Sequence, residues 1–251
     1  RYRYPVESRT AVSNRQYGVQ VETASSDAER KRLSKESGVT GECIFYRLYD
    51  LCGFNPLLDL TIDAMHTIVL NMIKTELEAH LLADLGPNAD LPIEERKASL
   101  GGLLDRKDLV KALQEMEWTT EMKDGRVPRL KLQYHGKGKL GHWKAEEFSK
   151  FIIIAPVILR GLIPSNAYNC FCLLSEIHHL VFSERMRIEG WQPEHLDLFR
   201  KLLWKHAIMF EELYGLRSCT ENLEYSLHMA DDIVRFSTLD NYWCYVFERL
   251  V

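Results

Sequence analysis

From Met65 to Leu81 the apolar residues fall three or four positions apart: Met65, Ile68, Val69, Met72, Ile73, Leu77 and Leu81. That recurrence predicts a helix over 64–83, closed by Gly86-Pro87. Ahead of it, Pro56 opens a short extended run, Leu57 to Ile62, the best place for a strand. A second strand could lie within 126–135. From His142 onward the helical pattern is nearly continuous. "HWKAEEFSKFIIIAPVILRGLI" reads as one helix bent at Pro156. "PSNAYNCFCLLSEIHHLVFSERM" starts on Pro164-Ser165-Asn166, and "QPEHLDLFRKLLWKHAIMFEELYG" starts on Pro193 and stops at Gly215. "TENLEYSLHMADDIVRF" reads as one helix capped by Thr220, and "DNYWCYVFERLV" as the last. "LPIEERKASLGGLLDRKDLVKALQEMEW" suggests two short helices parted at Gly101-Gly102, and 119–141 is the clearest loop. Residues 1–38 are polar and read as an arm or linker. The exception is "SSDAERKRLSKESG", a short helix with Ser26 or Asp27 as cap and Gly38 as stop. The class is mainly α, with few or no strands.

Charge narrows the function. The net charge of −4 leaves no overall electrostatic footprint for nucleic acid, so any DNA contact needs a local patch. The basic loop 123–139 is one candidate. Its Lys131, Lys137 and Lys139 could meet phosphates, although a solvated loop is the commoner reading. Six cysteines with no CxxC pair fit reduced thiols better than disulfides, and so an intracellular protein. The longest apolar run, "FIIIAPVIL", is too short to span a bilayer. The first residue is Arg, so the chain reads as part of a longer protein or a trimmed product.

Three sets of residues could carry chemistry. Asp63 and His66 stand one helical turn apart and can share a face, to bind a metal or orient one another. The plainer reading makes Asp63 a helix cap and His66 an ordinary half-buried residue. Glu224 and His228, also one turn apart, could give zinc two ligands, or form an exposed helix pair. His178, His179, His195 and His206 form no ligand pattern and read as structural. Glu248 lies in "YWCYVFERLV", where a carboxylate is costly unless paired, hydrogen-bonded or metal-bound. Arg235 and Arg217 are candidate partners. Gly-rich phosphate loops, GxSxG and HExxH are all absent.

Three blocks occur in order: "SGVTGECIFYRLYDL…LLDLTIDAMHTIVLNMIK", "GHWKAEEFSKFIIIAPVILRGLIP" and "ENLEYSLHMADDIVRFSTLDNYWCYVFERL". Together, over about 37–251, they resemble the later half of CACTA (En/Spm)-type transposases and of transposon-derived transposase-domain proteins. The shared marks are a D-x-M-H at a helix start, a W-x-A-E-E helix opening, and a histidine-bearing helix leading to an aromatic stretch ending in F-E.

The resemblance implies a DDE transposase with an RNase H-like α/β core. In such a core two aspartates and a glutamate hold two magnesium ions for DNA strand cleavage and transfer. It implies that Glu248 is the third metal-binding carboxylate and that Asp63 and His66 support the site. It implies that His228 belongs to a zinc site with a cysteine pair, where Glu224 stands in place of a frequent histidine. On this reading 39–86 ends the core, 87–141 holds helices and the basic loop, and 142–236 is a helical insertion. Residues 237–251 begin the C-terminal core helix. The family's G-P-L turn is here Ser237-Thr238-Leu239. The first two aspartates and the cysteine pair would precede Arg1, so this chain is expected to be inactive alone. Transposon-end DNA, a homo-oligomer and a nuclear location are further implications. The alternative is a decayed or domesticated remnant serving as a non-catalytic helical interaction module. A helical metalloenzyme is disfavoured, because the ligand pairs are few and scattered.

Overall fold

The computed structural model describes residues 10–55, 59–81, 103–104, 106–116, 143–239, 242 and 244. It divides into two compact units, a smaller one within residues 4–61 and a larger one from residue 62 onward. The described residues are mainly helical and contain no strand. The strand expected over 57–62 is therefore not seen at 59–62, while residues 56–58 and the 126–135 stretch lie outside the described residues.

The smaller unit is built on helices α1 (Ala11–Glu22), α2 (Asp27–Ser37) and α3 (Tyr46–Cys52). Helix α2 has the ends its sequence predicts. The Ser26 hydroxyl accepts from the Glu29 amide at 3.2 Å, and Gly38 closes the helix at φ 69°. Helix α1 falls where the composition suggested an arm. Its start is fixed by a reciprocal cap: Thr10 Oγ1 accepts from the Ser13 amide at 3.1 Å, and Ser13 Oγ accepts from the Thr10 amide at 3.0 Å. The 41–42 backbone crosses α1 so closely that a Cβ on Gly18 would meet the Gly41 carbonyl at 2.7 Å. Val12, Arg15, Val19, Tyr46 and Tyr49 line a cavity of about 710 Å³ in this unit.

The larger unit centres on a helix that winds in π-type turns over Met65–Ile73 and again over Glu76–Leu81. Apart from Thr67, its buried positions pair up every four residues: Ala64/Met65, Ile68/Val69, Met72/Ile73, Glu76/Leu77, then Leu81. Around it lie α5 (Ala145–Ile158), α6 (Ser165–Val181) and α9 (Glu221–Ser226), with α8 (Pro193–Tyr214) packed on α6. Helix α4 (Arg106–Glu115) packs on α5. Short α7 (Glu184–Glu189), a 3-10 turn at Leu216–Ser218 and α10 (Met229–Phe236) complete the described set.

Local chemistry explains these boundaries. The W-x-A-E-E opening is a helix start: Glu147 accepts from the Lys144 amide at 2.8 Å, and Trp143 packs on Phe148 and Phe151. Pro156 has no amide hydrogen to give the Ile152 carbonyl. The Ser175 hydroxyl of α6 donates to that carbonyl instead, at 2.8 Å, and Tyr168 donates to the Pro156 carbonyl, also at 2.8 Å. Helix α8 starts at Pro193 and stops at Gly215, as the sequence indicates. The segment expected to be one helix over 220–236 breaks at Leu227–His228, where the amides bond back three residues to Glu224 and Tyr225.

Candidate metal-ligand clusters

The sequence candidates fare differently. Asp63 and His66 meet at the start of the π-helix. The Asp63 carboxylate caps it, accepting from the Met65 amide at 3.3 Å and the His66 amide at 3.1 Å. It also pairs with His66 Nδ1. The cap of the plainer reading and the mutual orientation of the other occur together, since one carboxylate caps the helix and orients the ring. A neutral imidazole that donates Nδ1–H to Asp63 carries its lone pair on Nε2, the arrangement common to metal ligands and general bases.

A third group reaches this pair from far along the chain. The Cys244 amide donates to Asp63 Oδ1 at 3.0 Å, across 181 residues. Possible ligand atoms of Asp63, His66 and Cys244 lie within 4.8 Å of one another. Asp63 is mostly covered, with 18% of its side chain exposed, whereas His66 is 45% exposed. Next to them, buried Asp232 accepts from the Ile62 amide at 2.8 Å. Burial raises the Asp232 pKa, opposed by the Ile62 hydrogen bond and by Arg235 and His228.

Glu224 and His228 do not share a helix. Glu224 lies on α9, and His228 sits in the turn that caps α10. Neither belongs to a three-ligand group among the described residues. Glu248, Lys131, Lys137 and Lys139 lie outside the described residues.

A second cluster was not anticipated. Glu76, 0% exposed, joins His206, 1% exposed, through Nε2 and Oε2 at 3.0 Å. Tyr214 donates its hydroxyl to the other oxygen, Oε1, at 3.3 Å. Cys170, fully buried on α6, completes a Glu76–Cys170–His206 group with ligand atoms within 4.8 Å of one another. Burial and then the Glu76 charge push the pKa of the Cys170 thiol and of the Tyr214 hydroxyl upward. The signal was in the sequence: Glu76, Cys170 and His206 each occupy a position that its helix's apolar stripe buries. In sequence His206 reads as structural, because no neighbour makes a ligand pattern with it.

His178 is also buried. Its Nε2 shares a 2.5 Å hydrogen bond with Ser149 Oγ, and its Nδ1 has no hydrogen-bond partner among the described residues. A Ser–His contact with no acid at Nδ1 does not make a nucleophilic triad. None of the six cysteines forms a disulfide. No helix among the described residues is long and apolar enough to cross a membrane. The chain matches no family model, no curated protein and no solved structure.

Proposed function

We propose that this chain is the later half of a CACTA-type DDE transposase or a descendant of one, acting on DNA in the nucleus. In this reading it contributes the third carboxylate, Glu248, to an RNase H-like core. Asp63 and His66 support that core from the start of the π-helix. The observation that carries the reading is the Cys244–Asp63 hydrogen bond. It joins the D-x-M-H block to the aromatic stretch four residues before Glu248, as convergence of the first and third blocks requires. A second feature supports it. Ser237 stands where the resembled family has the glycine of a G-P-L turn, and its backbone takes a glycine-type conformation, φ 75° and ψ −156°.

Two magnesium ions need two further carboxylates, which the proposed parent protein supplies from upstream. The ions would activate water and then a 3′-hydroxyl for attack on phosphodiesters. In this chain, Glu248 would hold metal, and Asp63 would fix the His66 ring and the approach of the Cys244 backbone. Glu224, His228 and a cysteine pair of the parent would form its zinc site. Lys131, Lys137 and Lys139 would meet phosphates, and a homo-oligomer would hold paired transposon ends. The test is nicking of supercoiled DNA with magnesium or manganese. The chain alone should not nick. Cleavage by it that Glu248→Gln abolishes would contradict this assignment.

One observation favours a second reading, a non-catalytic interaction module. Ile44, Phe45, Leu48, Tyr49 and Leu51 crowd exposed apolar surface into one short stretch of the smaller unit. Salt-insensitive, negligible affinity for duplex DNA would support it. A strong, salt-dependent shift would count against it.

A further inference from the structure

We propose that Glu76, Cys170 and His206 bind a structural zinc ion in the core of the larger unit, where it staples three helices. The site is separate from the Asp63–His66 cluster and does not depend on the transposase reading.

Geometry comes first. One carboxylate, one thiol and one imidazole arrive from three elements: the π-helix, α6 and α8. Their ligand atoms already lie within 4.8 Å of one another, and Glu76 Oε2 and His206 Nε2 are 3.0 Å apart. Tetrahedral zinc with bonds of about 2.0–2.3 Å places its ligands roughly 3.3–3.8 Å apart, so small side-chain movements close the site. The Tyr214 hydroxyl, 3.3 Å from Glu76 Oε1, stands beside the fourth position.

Charge is the second argument. Glu76 is 0% exposed, and among the described residues its ion-pair partner is His206, itself 1% exposed. A buried carboxylate whose partners among the described residues are an imidazole, a thiol and a phenol has no full positive charge fixed beside it. A carboxylate, a thiolate and a neutral imidazole sum to −2, which Zn²⁺ cancels. Binding would release the thiol proton to solvent as the sulfur–zinc bond forms. Nitrogen, oxygen and sulfur donors together suit zinc better than magnesium or calcium, which take oxygen. Complete burial marks the site as structural rather than catalytic.

The whole chain, refolded with zinc sulfate and freed of excess metal, is assayed for zinc by mass spectrometry and for thermal unfolding with and without chelator. About one tightly held zinc per chain is expected, with a lower melting temperature after chelation. Cobalt in its place should show a sulfur-to-cobalt absorption band. Glu76→Gln keeps the shape of the side chain and one acceptor oxygen, which Tyr214 can still use, so it is the variant that best preserves the fold. Its zinc should fall below about a tenth of the wild-type content, as should that of Cys170→Ser. Cys244→Ser, which alters the other cluster, should keep its zinc. Absence of zinc from the wild type together with indifference to chelator would overturn the proposal. So would zinc retained by Glu76→Gln, or zinc lost only in Cys244→Ser.

Discussion

Three residues carry consequences that can be measured singly. Burial moves His178 down from an ordinary value of 6.5 to about 3. Below pH 6.5 the unfolded chain therefore takes up a proton that the folded chain refuses. Stability is full above that pH, declines as the pH falls, and levels off below about 3. The loss amounts to about 2 kcal/mol by pH 5. His178→Gln keeps a polar partner for Ser149 and removes the titration. Its urea-unfolding free energy should fall less steeply than wild type between pH 7 and pH 5, and parallel curves would refute the assignment. Ser237 is strained at φ 75° and ψ −156°, where glycine is at ease. Ser237→Gly should stabilise the chain by about 1 kcal/mol, read as a higher urea midpoint. Asp63 serves both cap and ring. Asp63→Ala should cost about 1–2 kcal/mol from the cap alone, while Asp63→Asn should cost less.

At the scale of elements, end signals were the most legible part of the sequence. Ser26 and Gly38 bound α2, and Pro193 and Gly215 bound α8, because each signal acts on its own helix end. Two features were not legible. The break at Leu227–His228 follows no glycine or proline, so nothing local marks it. The π-type winding keeps nearly the same apolar stripe as an α-helix, so periodicity over 64–81 could not tell them apart. Pro156 lies between these cases. The sequence marks a freed carbonyl at Ile152 but cannot say that Ser175 of another helix takes it. Ser175→Ala should leave that carbonyl unsatisfied and cost about 1–3 kcal/mol in chemical unfolding. The cost should shrink in Pro156→Ala, where the helix supplies its own amide. Equal costs in both backgrounds would mean that the hydroxyl is not compensating for the proline.

For the whole molecule, helical class was legible and long-range convergence was not. Asp63 and Cys244, or Glu76 and His206, meet across 181 and 130 residues, distances over which periodicity carries no information. Asp63 and His66 could be paired in advance because one helical turn links them. Glu76 could not, because its partners lie on other helices. The proposed transposase core rests on that same long-range convergence, the meeting of the D-x-M-H start with the approach to Glu248. Its most direct test is metal-dependent nicking of supercoiled DNA by the proposed parent protein, with both upstream aspartates present. The expected result is nicking abolished by Glu248→Gln and reduced about 10–100-fold by His66→Gln, the penalty usual for a residue that orients a metal site. Nicking that Glu248→Gln leaves unchanged would contradict it.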